Sequence, residues 1–186
     1  MKEKRSLLLA VLLAVLGPGG MTPGSAEVRP PIPRPASYFI LPTWDGKIVR
    51  LSSLKGQVIL LEFFQTWCPD CQRSAPALER LHQRYKAKGL TVLGISHDKE
   101  KAAAIEPYVK KYGLSFPVLV GDLSIAVNFI GITPEHPMFN IPYIVLIDRS
   151  GNVVGQFEEG RDAEATDEQL LEKLVQKLLA EKPPDS

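Results

Sequence analysis

The sequence predicts an α/β fold in which helices cover a mixed central sheet. Three observations support this fold class. Apolar strand patterns alternate with helical patterns through the middle of the chain, one strand pattern is apolar throughout, as if covered on both faces, and a hairpin pattern follows near the C-terminal end. The 186 residues are 45% hydrophobic and 23% charged, which suits one globular domain with extensions at its ends.

The N-terminal segment has the pattern of a secretory signal peptide. A basic stretch precedes an apolar run from Leu7 to Leu16, too short to span a bilayer, and small residues lie before Glu27. We expect cleavage after Ala26 and export to the periplasm or another extracytoplasmic space, with retention as an anchor as the alternative. Residues 27–36 contain four prolines and predict a stiff spacer. The domain is assigned to residues 37–181 and a disordered tail to residues 182–186.

The predicted elements of the domain follow in order. Two short strands flank Asp45 and Gly46, a dipeptide that favours hairpin turns, and should form an edge hairpin. The apolar run at residues 58–64 predicts the central strand. An amphipathic helix, kinked near Pro76, follows from Cys68 and ends near Gly89. Further patterns predict strands at 90–96, 116–120, 143–148 and 152–158, helices near 100–112 and 124–129, and a last helix opened by a Thr166–Gln169 capping box.

The only two cysteines, Cys68 and Cys71, are three positions apart. A disulfide between them would close too small a loop to remove much entropy from the unfolded chain, so a structural staple is disfavoured. Tetrahedral zinc needs four ligands, and the three histidines show no matching spacing, which disfavours a metal site. The formal net charge of +1 gives no basic excess for nucleic acid, and we expect a monomer.

A redox pair explains more of the pattern. A buried strand followed at once by a helix places Cys68 at or near the helix N-cap, where free N–H groups and the helix dipole stabilise a thiolate. Cys71, one turn later, lies inward and can resolve a mixed disulfide at Cys68. Trp67 would shield the pair and offer a flat apolar contact. Glu62 is interpreted as a proton acceptor for Cys71, because a carboxylate in an apolar strand is costly to bury; a solvent-facing carboxylate is the alternative.

The residues around the pair resemble a known family. LLEFFQTWCPDCQRSAPALERL is similar to the active-site segment of thioredoxin-fold proteins, and residues 39–68 resemble the N-terminal part of exported TlpA/ResA-type thiol-disulfide oxidoreductases. With NIPYIVLIDRSGNVV, the resemblance covers nearly all of residues 37–180. It implies a thioredoxin fold with an N-terminal β-hairpin and a helical insertion, and no cofactor beyond a Cys68–Cys71 disulfide.

The resemblance also implies residue roles. Cys68 matches the nucleophile, Cys71 the resolving cysteine, Pro76 the helix-kinking proline and Pro142 the cis-proline that packs against the disulfide. Ile141 would then present backbone groups to a substrate strand.

Several positions depart from the family pattern. Pro69 follows the first cysteine and Asp70 precedes the second, whereas relatives usually have proline directly before the second. Gly94 replaces a lysine that partners the buried acid in many thioredoxins. The extra residues 131–139 either shape the docking groove or form only a longer loop.

Asp70 predicts the direction of electron flow. DsbA-like oxidants have histidine there, and its cation stabilises the nucleophile's thiolate. An anion should do the opposite, so we predict a reductase with a potential nearer thioredoxin's, about −270 mV, than DsbA's, about −120 mV. The chain carries no flavin or nicotinamide motif. The resemblance implies a membrane electron donor of the DsbD or CcdA kind and oxidised exported proteins as substrates, with apocytochrome c or copper-site assembly proteins as family-level examples.

Two other activities are alternatives to this interpretation. A peroxiredoxin needs threonine three residues before its cysteine, where this chain has Gln65, while Thr66 is one residue too close. A Cu(I) carrier could use Cys68 and Cys71 with His136 or Met138, because thiolate and thioether ligands suit Cu(I).

Overall fold

The computed structural model describes residues 29–98, 101–132 and 138–182. The predicted signal peptide and its cleavage point at Ala26 lie outside these residues, as do His136 and residues 183–186. In chain order the elements are β1 (Arg34–Pro35), β2 (Ile40–Pro42), β3 (Ile48–Arg50), β4 (Val58–Phe64), α1 (Pro69–Tyr85), β5 (Leu90–Ser96), α2 (Ala102–Tyr112), β6 (Val118–Val120), α3 (Leu123–Ala126), β7 (Tyr143–Ile147), β8 (Asn152–Glu158) and α4 (Glu168–Ala180).

Six of these strands form the mixed sheet that the sequence predicts. Their order is β1-β8-β7-β4-β5-β6, with β4, β5 and β6 parallel to one another and β7 antiparallel to β4. Strand β4 is buried along its whole length, as expected for a central strand with both faces covered. Because of these strand directions, β4 and β5 end where β7 begins, at the same end of the sheet. The cysteines follow β4 at that end.

Helices and loops cover both faces of the sheet. On one face, the apolar sides of α1, α2 and α4 pack around residues such as Leu81, Ile105 and Val175. On the other face, Phe39 and Phe129 lie against Phe63 and its neighbours. Glu62 faces the helical layer, because it contacts Ser74 of α1. The carboxyl of Glu62 therefore lies between the central strand and its covering helix.

The predicted N-terminal hairpin forms, but not as an edge of the main sheet. Strands β2 and β3 pair with each other across the Asp45–Gly46 turn, in which Gly46 has a φ of +86°. They form a separate two-stranded sheet that touches β6 through a single bridge between Thr43 and Leu119.

Part of the predicted spacer is packed. Arg34 and Pro35 pair with β8, and the guanidinium of Arg29 donates a hydrogen bond to Asp162 at 2.6 Å. The folded region therefore extends N-terminally beyond Ser37, because a proline-rich segment can still occupy a sheet edge where few backbone N–H groups are required.

The ends of two helices refine the sequence analysis. Helix α1 contains Pro76 and is followed by a 3₁₀ turn that ends at Gly89, whose φ is +96°. The Thr166 capping box is wrong: the N-cap of α4 is Asp167, whose carboxylate accepts the backbone N–H groups of Gln169 and Leu170. Thr166 instead ends the preceding 3₁₀ turn, where its N–H donates to the carbonyl of Ala163. The short helix α3 continues as a wider π turn over Val127–Gly131.

Candidate active site

Cys68 occupies the N-cap of α1, as the strand-to-helix pattern predicted. Its backbone is extended, its Sγ accepts the backbone N–H of Cys71 at 3.2 Å, and Pro69 takes the first helical position. Proline is favoured there because that residue needs no N–H partner. Both cysteines are free thiols, and only 4% of the Cys68 surface is exposed. The helix therefore begins at the sulfur and directs its first N–H groups toward it.

The segment before β7 completes the other side of the Cys68 thiol. The Ile141–Pro142 peptide bond is cis, as the resemblance implied. The thiol of Cys68 donates to the carbonyl oxygen of Ile141 at 3.5 Å. Residues 68 and 141 are thus brought together from two elements that are 73 positions apart.

Cys71 lies one turn inside the helix and is fully buried. Burial raises the pKa of its thiol, and the neighbouring Glu62 carboxylate raises it further. The hydroxyl of Tyr108 in α2 donates to the carbonyl of Cys71 at 2.8 Å. The inner sulfur is therefore held as a thiol, one turn inside the helix from the sulfur of Cys68.

Glu62 is buried, with 2% of its surface exposed, which answers the question left open by the sequence. Burial raises its pKa to about 8, while a hydrogen bond from the Ser74 hydroxyl to Oε1, at 2.8 Å, opposes that rise. Its partner across the parallel pair β4–β5 is Gly94, which supplies no side chain. A carboxyl with such a pKa can accept a proton near neutral pH.

A buried carboxylate at the end of β5 positions the loop before the nucleophile. Asp98 accepts the backbone N–H of Thr66 at 3.0 Å and the Thr66 hydroxyl at 3.1 Å. Gln65 donates its side-chain amide to the carbonyl of His97 at 3.4 Å. The Thr66 hydroxyl is thus engaged with Asp98.

Asp70 does not act alone. It forms an ion pair with Arg73 on the next turn of α1, and Arg73 is largely exposed. A carboxylate in the first turn is favourable for the helix dipole. The pair carries no net charge, so the electrostatic effect assigned to Asp70 from the sequence is shared with a cation.

An open groove of about 470 Å³ adjoins the Cys68 thiol. Trp67, Pro69 and Asp70 line one part, and His97, Phe139 and Ile141 line another. Trp67 is 64% exposed and offers an apolar surface in the groove next to the buried cysteines. Burial lowers the pKa of His97, whose ring lies 5.8 Å from that of Phe139.

A polar network supports the Ile141 segment from behind. Glu158 accepts the backbone N–H of Asn140 at 2.8 Å. Arg29 lies 3.5 Å from the same carboxylate and donates to the carbonyl of Gln156 at 3.0 Å. Arg29, near the start of the predicted spacer, is therefore connected through Glu158 to Asn140 in the groove wall.

No cluster of three or more histidine, cysteine or acidic side chains within residues 29–98, 101–132 and 138–182 is arranged to hold a metal ion. Met138 is 86% exposed, and His136 lies outside the described residues, so the copper-carrier hypothesis stays a prediction. Within the same part of the chain, no helix has the length and apolar character needed to cross a membrane.

Sequence analysis missed three supporting residues, Ser74, Asp98 and Arg73. Ser74 and Asp98 act through side-chain contacts with Glu62 and Thr66, which no periodic pattern connects to them. Arg73, in contrast, pairs with Asp70 at an i,i+3 helical spacing. Ser74 had one detectable signal: it lies three residues after Cys71, on the inward side of α1, where a polar residue requires a partner.

Comparison with known proteins gives consistent matches. The sequence model of the AhpC/TSA family matches residues 32–156. A thiol-disulfide oxidoreductase ResA of Bacillus cereus (strain ATCC 10987 / NRS 248) is 32% identical over 179 residues, which cover 94% of this chain and 97% of the relative. A relative named thiol-disulfide oxidoreductase ResA from Halalkalibacterium halodurans is 28% identical and covers 78% of this chain and 76% of its own length.

A solved structure also matches. The crystal structure of a thiol:disulfide interchange protein of the thioredoxin family from Chlorobium tepidum TLS has a TM-score of 0.68 and 30% identity. It covers 80% of this chain, and 97% of that protein is matched. The six-stranded mixed sheet and its helical layers are thus those of a thioredoxin fold.

Proposed function

The chain belongs to the AhpC/TSA family and is a thiol-disulfide oxidoreductase of the thioredoxin-like ResA type, and from this premise we propose that it reduces disulfides in exported proteins. The observation that carries the proposal is the position of the Cys68 thiol. It lies at a helix N-terminus, beside the Ile141 carbonyl and next to an open groove, with a second thiol one turn inside. That arrangement suits a two-step dithiol exchange.

In the first step, the Cys68 thiolate attacks one sulfur of a substrate disulfide. A Cys68–substrate disulfide forms, the substrate's own S–S bond breaks, and the departing sulfur leaves as a thiolate that takes a proton from solvent. The N–H of Cys71 and the helix dipole favour negative charge at the attacking sulfur. Trp67 and Ile141 are proposed to hold the substrate segment along the groove.

In the second step, Glu62 accepts the proton of Cys71. The Cys71 thiolate then attacks Cys68, the Cys68–Cys71 disulfide forms, and the second substrate sulfur leaves and is protonated. Two electrons have passed from the dithiol to the substrate. Proton transfer also neutralises Glu62, which removes the anion that would oppose the new thiolate.

The direction of transfer is supported by the charges at the start of α1. A DsbA-like oxidant has a cation beside its nucleophile, which stabilises the reduced form. Here the Asp70–Arg73 pair supplies no net cation. We therefore keep the proposal of a potential nearer thioredoxin's, about −270 mV, than DsbA's, about −120 mV.

The cellular setting is part of the proposal. The basic and apolar N-terminal pattern supports export with cleavage after Ala26, although that segment lies outside the described residues. A reductant in an oxidising compartment needs a supply of electrons. We propose a membrane donor of the DsbD or CcdA kind and a monomeric protein without nucleic-acid partners.

Insulin reduction with dithiothreitol tests the proposed activity. We expect catalysis by the wild type and its loss in Cys68→Ser, because the substituted hydroxyl cannot form the mixed disulfide. Equilibration with glutathione gives the potential, and a value above about −170 mV would reverse the assigned direction. Tight Cu(I) binding by the reduced protein, together with no insulin reduction, would instead support the carrier.

A further inference from the structure

We propose that Ser74 is a positioning residue for the resolving step: its hydroxyl donates to Glu62 when that carboxyl is ionised and to the Cys71 carbonyl when it is protonated. The inference rests on the proposed dithiol exchange, since Ser74 would act through Glu62.

The geometry places one hydroxyl between two acceptors. Ser74 Oγ lies 2.8 Å from Glu62 Oε1 and 3.1 Å from the carbonyl oxygen of Cys71. Ser74 is 6% exposed and Glu62 is 2% exposed, so solvent does not readily replace either contact. A serine hydroxyl carries one hydrogen and can therefore donate to only one of these acceptors at a time.

The ionised state of Glu62 favours the first arrangement. A hydrogen bond to a carboxylate is stronger than one between neutral groups, so the hydroxyl donates to Oε1. The Cys71 carbonyl is not left unpaired, because the hydroxyl of Tyr108 also donates to it at 2.8 Å.

The protonated state favours the second arrangement. The Glu62 carboxyl then carries a hydrogen of its own and donates it to Ser74 Oγ, which turns its hydrogen toward the Cys71 carbonyl. A helical serine commonly donates to the carbonyl one turn earlier, and the Cys71 oxygen is within hydrogen-bond distance of both the Ser74 and the Tyr108 hydroxyls. The hydrogen bond between Glu62 Oε1 and Ser74 Oγ can thus be kept in both protonation states of the carboxyl.

The strand residues paired with Glu62 and the buried residues of α4 offer it no other side-chain hydrogen-bond donor. The residues paired with it on β5 and β7 are Gly94 and Ile144, and neither can donate from a side chain. The buried residues that α4 contributes, such as Leu171 and Val175, are apolar.

Other titratable groups near Glu62 do not account for a change around neutral pH. These groups are Cys71 and Cys68 of α1 and Tyr108 of α2. Burial raises the pKa of both Cys71 and Tyr108, and Cys68 carries no ionisable thiol while it is joined to a substrate.

Ser74→Ala tests the inference through the pH dependence of the resolving step. The variant loses the donor to the carboxylate, so Glu62 should keep its proton to a pH about one unit higher, which makes resolution about tenfold slower at pH 7. Rapid quenching with alkylation measures the lifetime of the mixed disulfide. The second-order rate of the first step should not change, and Ser74→Thr, which keeps the hydroxyl, should restore the wild-type profile.

A direct readout separates this inference from the proposed function. The carboxyl carbon of Glu62, followed by ¹³C NMR against pH in protein whose Cys68 thiol is blocked by alkylation, reports its ionisation without any substrate and without a titrating thiol at Cys68. An upward displacement in Ser74→Ala supports the inference, whether or not insulin is reduced. A titration that coincides with that of the wild type overturns it. Loss of Cys68-dependent insulin reduction in the wild type counts against the proposed function and leaves the NMR comparison intact.

Two further variants sharpen the kinetic test. Ser115→Ala removes an exposed serine whose hydroxyl makes a 2.7 Å hydrogen bond to Glu79, a contact of the same chemical type, and should leave the profile in place. In Glu62→Gln, the additional change Ser74→Ala should cause no further displacement of the pH profile. A displacement that persists without the Glu62 carboxylate would contradict the mechanism.

Discussion

At the scale of single residues, the proposed chemistry depends on one carboxyl among apolar neighbours. Glu62 stands in a strand that is buried along its length, and Ser74 is the side chain of α1 that reaches it. The sequence suggested that burying this carboxylate costs free energy, but it did not identify the partner that offsets the cost. The structure shows that a hydroxyl, in place of a lysine, is the polar partner.

Glu62 should make the stability of the fold depend on pH. Its pKa is raised to about 8 from an unfolded value of 4.5, so between these values the unfolded chain loses the proton while the folded protein keeps it. The contribution of Glu62 to the free energy of unfolding is complete below the unfolded pKa and falls as pH rises toward 8. The slope approaches about 1.4 kcal/mol per pH unit.

Glu62→Gln removes this proton exchange. Urea unfolding gives the free energy of unfolding of the variant and of the wild type at each pH. The difference, variant minus wild type, should become more positive by several kcal/mol between pH 5 and pH 8. Glu181→Gln, at an exposed position, is the control and should track the wild type. Parallel curves for Glu62→Gln and the wild type would show that Glu62 is not a buried proton acceptor.

At the scale of elements, the N-terminal ends of α1 and α4 are both capped by side chains. Cys68 caps α1 with its sulfur and Asp167 caps α4 with its carboxylate. In both helices the capping side chain accepts backbone N–H groups that have no partner within the helix. In α1 the capping atom is also the sulfur that we propose as the nucleophile.

The assignment of Asp167 can be measured. Asp167→Ala removes the acceptor for the N–H groups of Gln169 and Leu170 and should lower the free energy of unfolding by about 1 kcal/mol. Thr166→Ala, one residue earlier, should change it by less than about 0.5 kcal/mol. Denaturant unfolding of both variants measures the two effects. A larger loss in Thr166→Ala than in Asp167→Ala would support Thr166 as the N-cap.

The sequence predicted the elements better than the contacts between them. The apolar run at Val58–Phe64 and the helical spacing after Cys68 are local patterns, so the central strand and α1 were placed correctly. The place of Arg34–Pro35 depends on β8, which is more than a hundred residues away. Side-chain partners such as Asp98 for Thr66, which are 32 positions apart, are also non-local, and periodicity carries no information about them.

At the scale of the whole molecule, the N-terminal arm, residues 29–36, joins the outer strand to the groove wall. Arg29 contacts Asp162 and Glu158, and Glu158 holds the N–H of Asn140 next to Ile141. Residues that follow the predicted cleavage point thereby help to fix the segment that faces the nucleophile.

Removal of this arm should weaken the fold. A protein that begins at Ser37 loses the β1–β8 pairing and the Arg29 contacts, and we expect a loss of about 2 kcal/mol, or about 4–8 °C in melting temperature. A protein that begins at Arg29 is the matched control. Equal melting temperatures for the two would mean that the arm is not part of the packed domain.

The short outer strand has one more consequence, for self-association. An open sheet edge is a template for pairing with other chains. Here β1 offers only two residues, one of them a proline without an N–H group, and at the opposite edge the hairpin lies against β6 at Thr43. The proposed substrates are cysteine-bearing proteins, and an open sheet edge would risk collecting their extended segments. Blunted edges leave the groove beside Cys68 as the favoured place of contact and make release after exchange easier than accumulation.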